Sequence, residues 1–330
     1  MSEQQKKIVF SGIRPTGVAH LGNYVGALRN WLKLQDQYRC YYCIVTWHAL
    51  SSEYMNSKVL KDYTFEVAVD LLSIGLNPEK CVLFIQSDVK EHAELHLLLS
   101  MIIPLPWLER VPTFKEFQKE VPDKDLSTYG FLGYPVLQTA DIILYKAEIV
   151  PVGEDQAFHL ELAREITRRF NRYYGDVFPE PQILLTEIPK LAGTDGRKMS
   201  KSYGNAIFLK DSPQVIRQKI STMITDTRRK RRTDPGVPED CPVFTLHKAF
   251  VAKNKQEELA RDCRAAALGC LDCKKVVIDS LIQLFEPYRE KRKYYEKHPQ
   301  VVRDIYEEGN KNARQAAQKT MEEVRAAIGL

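Results

Sequence analysis

Two short stretches carry residue types suited to gripping a polyphosphate. In the first, Phe10-Ser11-Gly12-Ile13-Arg14-Pro15-Thr16-Gly17-Val18-Ala19-His20-Leu21-Gly22-Asn23, an apolar run enters a turn with two glycines and then opens a helix. Backbone can approach a ligand closely at Gly12 and Gly17, a helix start offers unpaired N–H groups, and His20 and Asn23, three apart, project from one turn. In the second, Gly193-Thr194-Asp195-Gly196-Arg197-Lys198-Met199-Ser200-Lys201-Ser202-Tyr203-Gly204, two lysines sit in a glycine-flanked loop able to carry ammonium groups onto phosphate. Alone, His20 serves equally as a helix cap and the lysine loop as a solvated surface. Together, in this order, they predict a two-part clamp.

Cys241, Cys263, Cys270 and Cys273 form a second constellation, with 21, 6 and 2 residues between successive members. Four thiolates ending in Cys-x-x-Cys suit either tetrahedral zinc or an iron–sulfur cluster. Cys40 and Cys43 flank an expected core strand on opposite faces, which favours packing over chelation. Arg228-Arg229-Lys230-Arg231-Arg232 places five positive charges in succession, followed by Arg289, Lys291, Arg292 and Lys293. Such a run is a solvated face or a contact for a polyanion.

The elements that position these groups follow from periodicity. Ile8–Phe10, Cys40–Val45 and Cys81–Ile85 are short apolar runs, separated by helical spacing over Tyr24–Leu34 and Leu60–Ile74, with Asn77-Pro78 ending the second helix. This rhythm predicts an α/β fold with a doubly wound parallel sheet. Glu91–Ile103 and Asp155–Phe170 are further expected helices. From about Pro213 the chain turns charged and helical, predicting an α/β domain over 1–205 and an all-helical domain over 206–330. Ala313, Ala317, Met321, Val324 and Ile328 share one helical face, so the last helix is expected to pack back on the body.

At 330 residues, 44% hydrophobic and 28% charged, the composition is that of an ordinary globular protein. No apolar stretch approaches the roughly 18 residues of a membrane span. Met1 to Lys7 is polar and lacks the apolar segment of a signal peptide, giving a cytoplasmic expectation. A net charge of +5 permits a polyanionic partner without demanding one.

With both clamp motifs in view, the chain resembles the class I aminoacyl-tRNA synthetases, whose two ATP motifs are of the HIGH and KMSKS type. The second is matched in all five letters, while Asn23 replaces the second histidine of the first, a variant that resembles the tryptophanyl enzymes. Gln86-Ser87-Asp88, Glu91-His92-Ala93-Glu94-Leu95, Trp107-Leu108-Glu109-Arg110, Tyr134-Pro135-Val136-Leu137, Ala140-Asp141-Ile142 and Val150-Pro151-Val152-Gly153-Glu154-Asp155-Gln156 are similar to that subgroup. Tyrosyl-tRNA synthetases, and nucleotidylyltransferases with the same histidine motif, share the fold.

The resemblance implies a Rossmann-like catalytic domain, a helical anticodon-binding domain, activation of L-tryptophan by ATP with Mg2+, transfer to tRNA(Trp), and a homodimer without membrane attachment. It makes His20, Asn23, Lys198 and Lys201 catalytic. It places Arg14, Pro15, Thr16, Gly22, Asn23, Leu191, Lys198, Met199, Ser200, Lys201 and Ser202 at ATP, with Gly153, Glu154 and Asp155 at the ribose and Lys115 near the phosphates. Asp141 would accept the indole N–H, a donor-only group, with Tyr134, His48 and Gln156 completing the pocket. From position alone, Asp141 could equally cap a helix beginning near Ile142. Thr46 and Gln138 depart from the family pattern. The cysteine set resembles that of a subset of tryptophanyl enzymes with a [4Fe-4S] cluster in the anticodon-binding domain, and the basic run becomes a tRNA phosphate contact.

Overall fold

The computed structural model describes residues 6–111, 127–153, 156–185 and 190–330. Five strands, β1 (Ile8–Ile13), β2 (Arg39–Ile44), β3 (Cys81–Ile85), β4 (Ile149–Val152) and β5 (Gln182–Leu185), make one parallel sheet in the order β3-β2-β1-β4-β5. The order reverses between β1 and β4, which opens a crevice at their carboxyl ends, where such folds bind ligands.

The helices are α1 (Leu21–Asn23), α2 (Arg29–Gln37), α3 (Thr46–Glu53), α4 (Leu60–Ser73), α5 (Glu91–Ser100), α6 (Leu105–Glu109), α7 (Tyr129–Leu132), α8 (Tyr134–Ile143) and α9 (Ala157–Tyr174) in the sheet-bearing half. Beyond it come α10 (Pro213–Thr222), α11 (Pro242–Phe250), α12 (Lys253–Arg264), α13 (Cys270–Leu284), α14 (Glu286–Lys297) and α15 (Pro299–Ile328). None is long and apolar enough to cross a membrane, among the described residues.

Strand side chains alternate between two cores, as the pleat requires. Val9, Tyr42, Ile44 and Leu83 join one; Phe10, Tyr41, Cys43 and Phe84 join the other. The first core continues through Leu246, Val277, Leu281, Phe285 and Tyr288, so helices beyond residue 206 share buried apolar surface with the sheet. The second takes in Ala313, Ala317, Met321 and Val324 of α15, the stripe expected to pack. Helix α15 lies so close to edge strand β3 that a Cβ on Gly309 would come within 1.8 Å of the Leu83 carbonyl oxygen. Beside it, Asn310 Oδ1 accepts the Ile85 N–H at 2.8 Å. The edge is thereby covered rather than left to pair with another chain.

The three expected strands are present, and Cys40 and Cys43 are buried on opposite faces. The expected helix at Tyr24 begins earlier, at Leu21, and passes through a π turn over Tyr24–Leu28 before running to Gln37. Strands β4 and β5 lay outside the expectation. Each spans four residues, and β4 holds Pro151, which ordinarily argues against an interior strand. It is tolerated because Ile149 is the β4 residue that pairs with β1, two positions earlier. Asp141 lies near the C-terminal end of α8, so the capping alternative is set aside.

Candidate active site

The two clamp motifs are hydrogen-bonded to each other through the backbone. The Leu21 N–H donates to the Ile207 carbonyl at 2.9 Å, the Leu209 N–H donates to the Ala19 carbonyl at 3.0 Å, and His20 faces Phe208 as an antiparallel bridge. The stretch after the lysine loop is therefore a short strand laid on the histidine motif. The loop itself is pinned by Asn205, which is 2% exposed: its Oδ1 accepts the Ser200 N–H at 2.8 Å, and its Nδ2 donates to Asp195 and to the Lys198 carbonyl. A Cβ on Gly193 would strike Asn205 at 2.3 Å. Sequence reasoning missed Asn205, and its place at the end of a glycine-rich loop was the available signal.

His20 caps α1 and remains available for chemistry. Its Nδ1 accepts the Gly22 N–H at 3.0 Å while Asn23 Oδ1 accepts the His20 N–H at 3.0 Å, a reciprocal box. Burial, and then the charge of Lys201, lower its pKa to about 4, so the ring is neutral at pH 7. With Nδ1 accepting, the proton sits on Nε2, a donor free of the cap's demands. Gly22 must be glycine for this, since a Cβ there would lie 2.8 Å from His20 Cε1. Lys201 donates to the Thr16 carbonyl at 2.8 Å, the Gly17 carbonyl at 3.0 Å and Thr16 Oγ1 at 3.2 Å, closing the loop onto the turn. Desolvation lowers its pKa to about 8, against an opposing pull from Asp70.

Beside this clamp, a cavity of about 380 Å3 opens at the switch point, walled by Ser11 and Gly12 of β1, Val150 to Val152 of β4, and Asp141 and Gln138 of α8. Asp141 is 1% exposed. It accepts from His48 Nε2 at 2.9 Å, from His92 Nδ1 at 2.7 Å and from Gln86 Nε2 at 2.8 Å to each oxygen. Burial alone would raise its pKa, but His92 and then His48 outweigh that and hold the carboxyl at about 2. Gln86 is fixed because its Oε1 accepts the Trp47 N–H, and His92 Nε2 stands 2.7 Å from the Tyr145 hydroxyl. Each oxygen thus takes two contacts, so a ligand donor must exchange for one of them; His48, which itself lines the cavity, makes the contact within a ligand's reach.

A model of the tRNA synthetases class I (W and Y) matches residues 2–286. The chain is 52% identical to a tryptophan–tRNA ligase of Thermotoga maritima, over 98% of this chain and 99% of the relative. It is 45% identical to one of Aquifex aeolicus, with the same two coverages. The chain belongs to this class I synthetase family, among its tryptophanyl members. A solved tryptophanyl-tRNA synthetase from Campylobacter jejuni, complexed with ADP and tryptophan, superposes with a TM-score of 0.86 at 34% identity, covering 98% of this chain and 100% of that one.

Other expected residues of the synthetase fall into place around these centres. His48, Tyr134, Gln156 and Gly153 line the cavity with Asp141, and Tyr134 is hydrogen-bonded to His159. Arg14 lines both this cavity and the narrow space under Lys201, and its buried Nε has no hydrogen-bond partner among the described residues. Pro15, Leu191 and Met199 are buried, the last two in the core shared with the sheet, and the Met199 N–H donates to the Leu191 carbonyl at 2.9 Å. Thr16, Lys198 and Ser202 are exposed and Ser200 is half-buried. Glu154, Asp155 and Lys115 lie outside the described residues. Thr46 accepts the Ser87 N–H at 3.1 Å, joining α3 to the Gln86 segment, while Gln138 lies in the cavity wall.

The four cysteines of the synthetase carry free thiols close enough for Cys273 to feel the charge of the other three. Burial and then those charges raise the Cys273 thiol to about 12. Arg229 Nη1 lies 3.9 Å from Cys263 Sγ and 3.8 Å from Cys270 Sγ, and His247 Nε2 lies 3.2 Å from Cys273 Sγ. As placed, no group of three or more His, Cys, Asp or Glu among the described residues is set to hold a metal ion. The basic run also divides: Arg228 forks between Asp226 and Asp240, Arg229 turns to the thiols, and Lys230, Arg231 and Arg232 are exposed.

Proposed function

We propose that the cavity under Asp141 seats tryptophan and that the His20–Lys201 turn seats ATP with its Mg2+, in the two-step reaction of a tryptophan–tRNA ligase. The tryptophan carboxylate attacks the α-phosphorus and pyrophosphate departs; a terminal ribose hydroxyl of tRNA(Trp) then attacks the adenylate carbonyl and AMP departs. The observation that carries this reading is the ionised, buried Asp141 lining a cavity next to the phosphate clamp, with one of its donors, His48, standing in the same cavity wall. An indole N–H can take a donor's place on that carboxylate, whereas phenylalanine brings no donor to a dry site. His20 Nε2, Asn23, Lys198 and Lys201 supply donors and charge where the transferring phosphate gains negative charge. Arg14, which lines both spaces, reaches either substrate. Lys201 must first leave Thr16 and Gly17, because the space beneath it is only about 10 Å3.

Pyrophosphate exchange tests the assignment. Asp141→Asn strands the donors of His48, His92 and Gln86, and KM for tryptophan should rise on the order of 10- to 100-fold. An unchanged KM, or exchange driven by tyrosine in the parent chain, overturns the reading. Lys201 is charged below its pKa of about 8 and loses that charge as pH rises. Accordingly kcat/KM for ATP should fall through that region, with Lys201→Arg moving the alkaline limb upward; a flat profile contradicts the role.

Cys241, Cys263, Cys270 and Cys273 would hold a [4Fe-4S] cluster, and the donor set suits one. Four neighbouring thiols repel one another as thiolates, and Arg229 offers N–H groups at two of the sulfurs. When bound, a cluster neutralises that repulsion and ties α11 to α13. An anaerobic preparation should contain iron and sulfide and absorb broadly near roughly 400 nm; zinc without iron overturns the proposal. Lys230, Arg231 and Arg232 face solvent beside this site, suited to tRNA phosphates. A homodimer in the cytoplasm completes the reading.

A further inference from the structure

A buried cluster of charge behind the phosphate clamp joins the helical segment to the histidine motif. Asp70 of α4 is 1% exposed and Arg292 of α14 is 3% exposed. One oxygen of Asp70 accepts the Ala19 N–H at 2.6 Å. The other accepts the Tyr288 hydroxyl at 2.5 Å and a hydrogen bond from Arg292 Nη1. Arg292 is held in turn by Glu66, through Nη2, and by Glu296, through Nε at 2.8 Å.

The connectivity makes this more than a packing contact. Ala19 directly precedes His20; its N–H is fixed by Asp70 and its carbonyl by Leu209, so both backbone groups before the histidine are spent on elements from elsewhere in the chain. Asp70 also lines the narrow space under Lys201 with Arg14, Thr16 and Asn23. A buried ion pair adds little stability over an apolar replacement, because desolvation cancels the attraction. What it supplies is a fixed geometry, and here that geometry ends at the phosphate clamp.

We propose that Arg292 and Tyr288 are positioning residues for ATP: acting through Asp70, they set the Ala19–His20 backbone and make adenylate formation depend on how helix α14 is seated. They touch no substrate. The proposal rests on His20 meeting the phosphates, and its test separates the two. Arg292→Lys keeps the charge but loses the planar fork that serves three carboxylates; Tyr288→Phe keeps the ion pair and removes one donor. Both variants of the full chain are assayed by pyrophosphate exchange, with ATP and tryptophan titrated separately. Displacement of the clamp by a fraction of an ångström should lower kcat/KM for ATP on the order of tenfold, with KM for tryptophan held within about twofold. Glu308→Gln, in an exposed pair with Lys311 on α15, should change neither. Unaltered ATP kinetics in both core variants overturn the proposal, as do parallel losses toward ATP and tryptophan, the mark of a general structural defect. His20→Ala is the discriminating control. If it leaves activation intact, the phosphate reading fails; if it is impaired while Arg292→Lys and Tyr288→Phe are not, only the tie to α14 fails.

Discussion

Two backbone hydrogen bonds, Leu21 to Ile207 and Leu209 to Ala19, hold the active site together. They fasten the lysine loop to the histidine motif although nearly two hundred residues separate the two in sequence. Everything else at the ATP end is built around that ladder: the capping box that leaves Nε2 of His20 protonated, Asn205 shaping the loop, and Lys201 folded onto Thr16 and Gly17. Backbone pairing suits this task because it fixes distance and direction without depending on long side chains that must later move to meet a ligand.

The tryptophan end rests on a different principle. A carboxylate at the bottom of a cavity is costly unless donors surround it. His48, His92 and Gln86 meet that cost, and in the proposed reading a substrate that brings its own donor exchanges for one of them. The sheet supplies the setting: β1 and β4 diverge at the switch point, so the cavity borders the same turn that carries the phosphate clamp. In the proposed reading, the crevice brings the attacking carboxylate and the α-phosphate within reach of each other.

Much of this was legible in the residues. Apolar runs marked β1, β2 and β3, the tail stripe marked the buried face of α15, and the two ATP motifs marked the clamp. Strands β4 and β5 escaped because four residues, with a proline in one, fall below what alternation can signal. Gln86 and His92 appeared only as letters of subgroup motifs; their work on Asp141 depends on contacts across 55 and 49 residues that no local pattern carries. Arg292 looked like one of a loose basic cluster, yet it is buried against Asp70. Arg229 likewise sat inside a run of five charges and turned away from its neighbours toward the thiols. Charge runs reveal composition, and only the fold decides which members face solvent.

Native-state hydrogen exchange at the Leu21 and Leu209 amides tests most directly whether the two motifs form one unit. Because both N–H groups belong to the same ladder, they should be protected to the same degree and open together as denaturant is added. Strong protection at Leu21 with rapid, independent exchange at Leu209 would contradict the account.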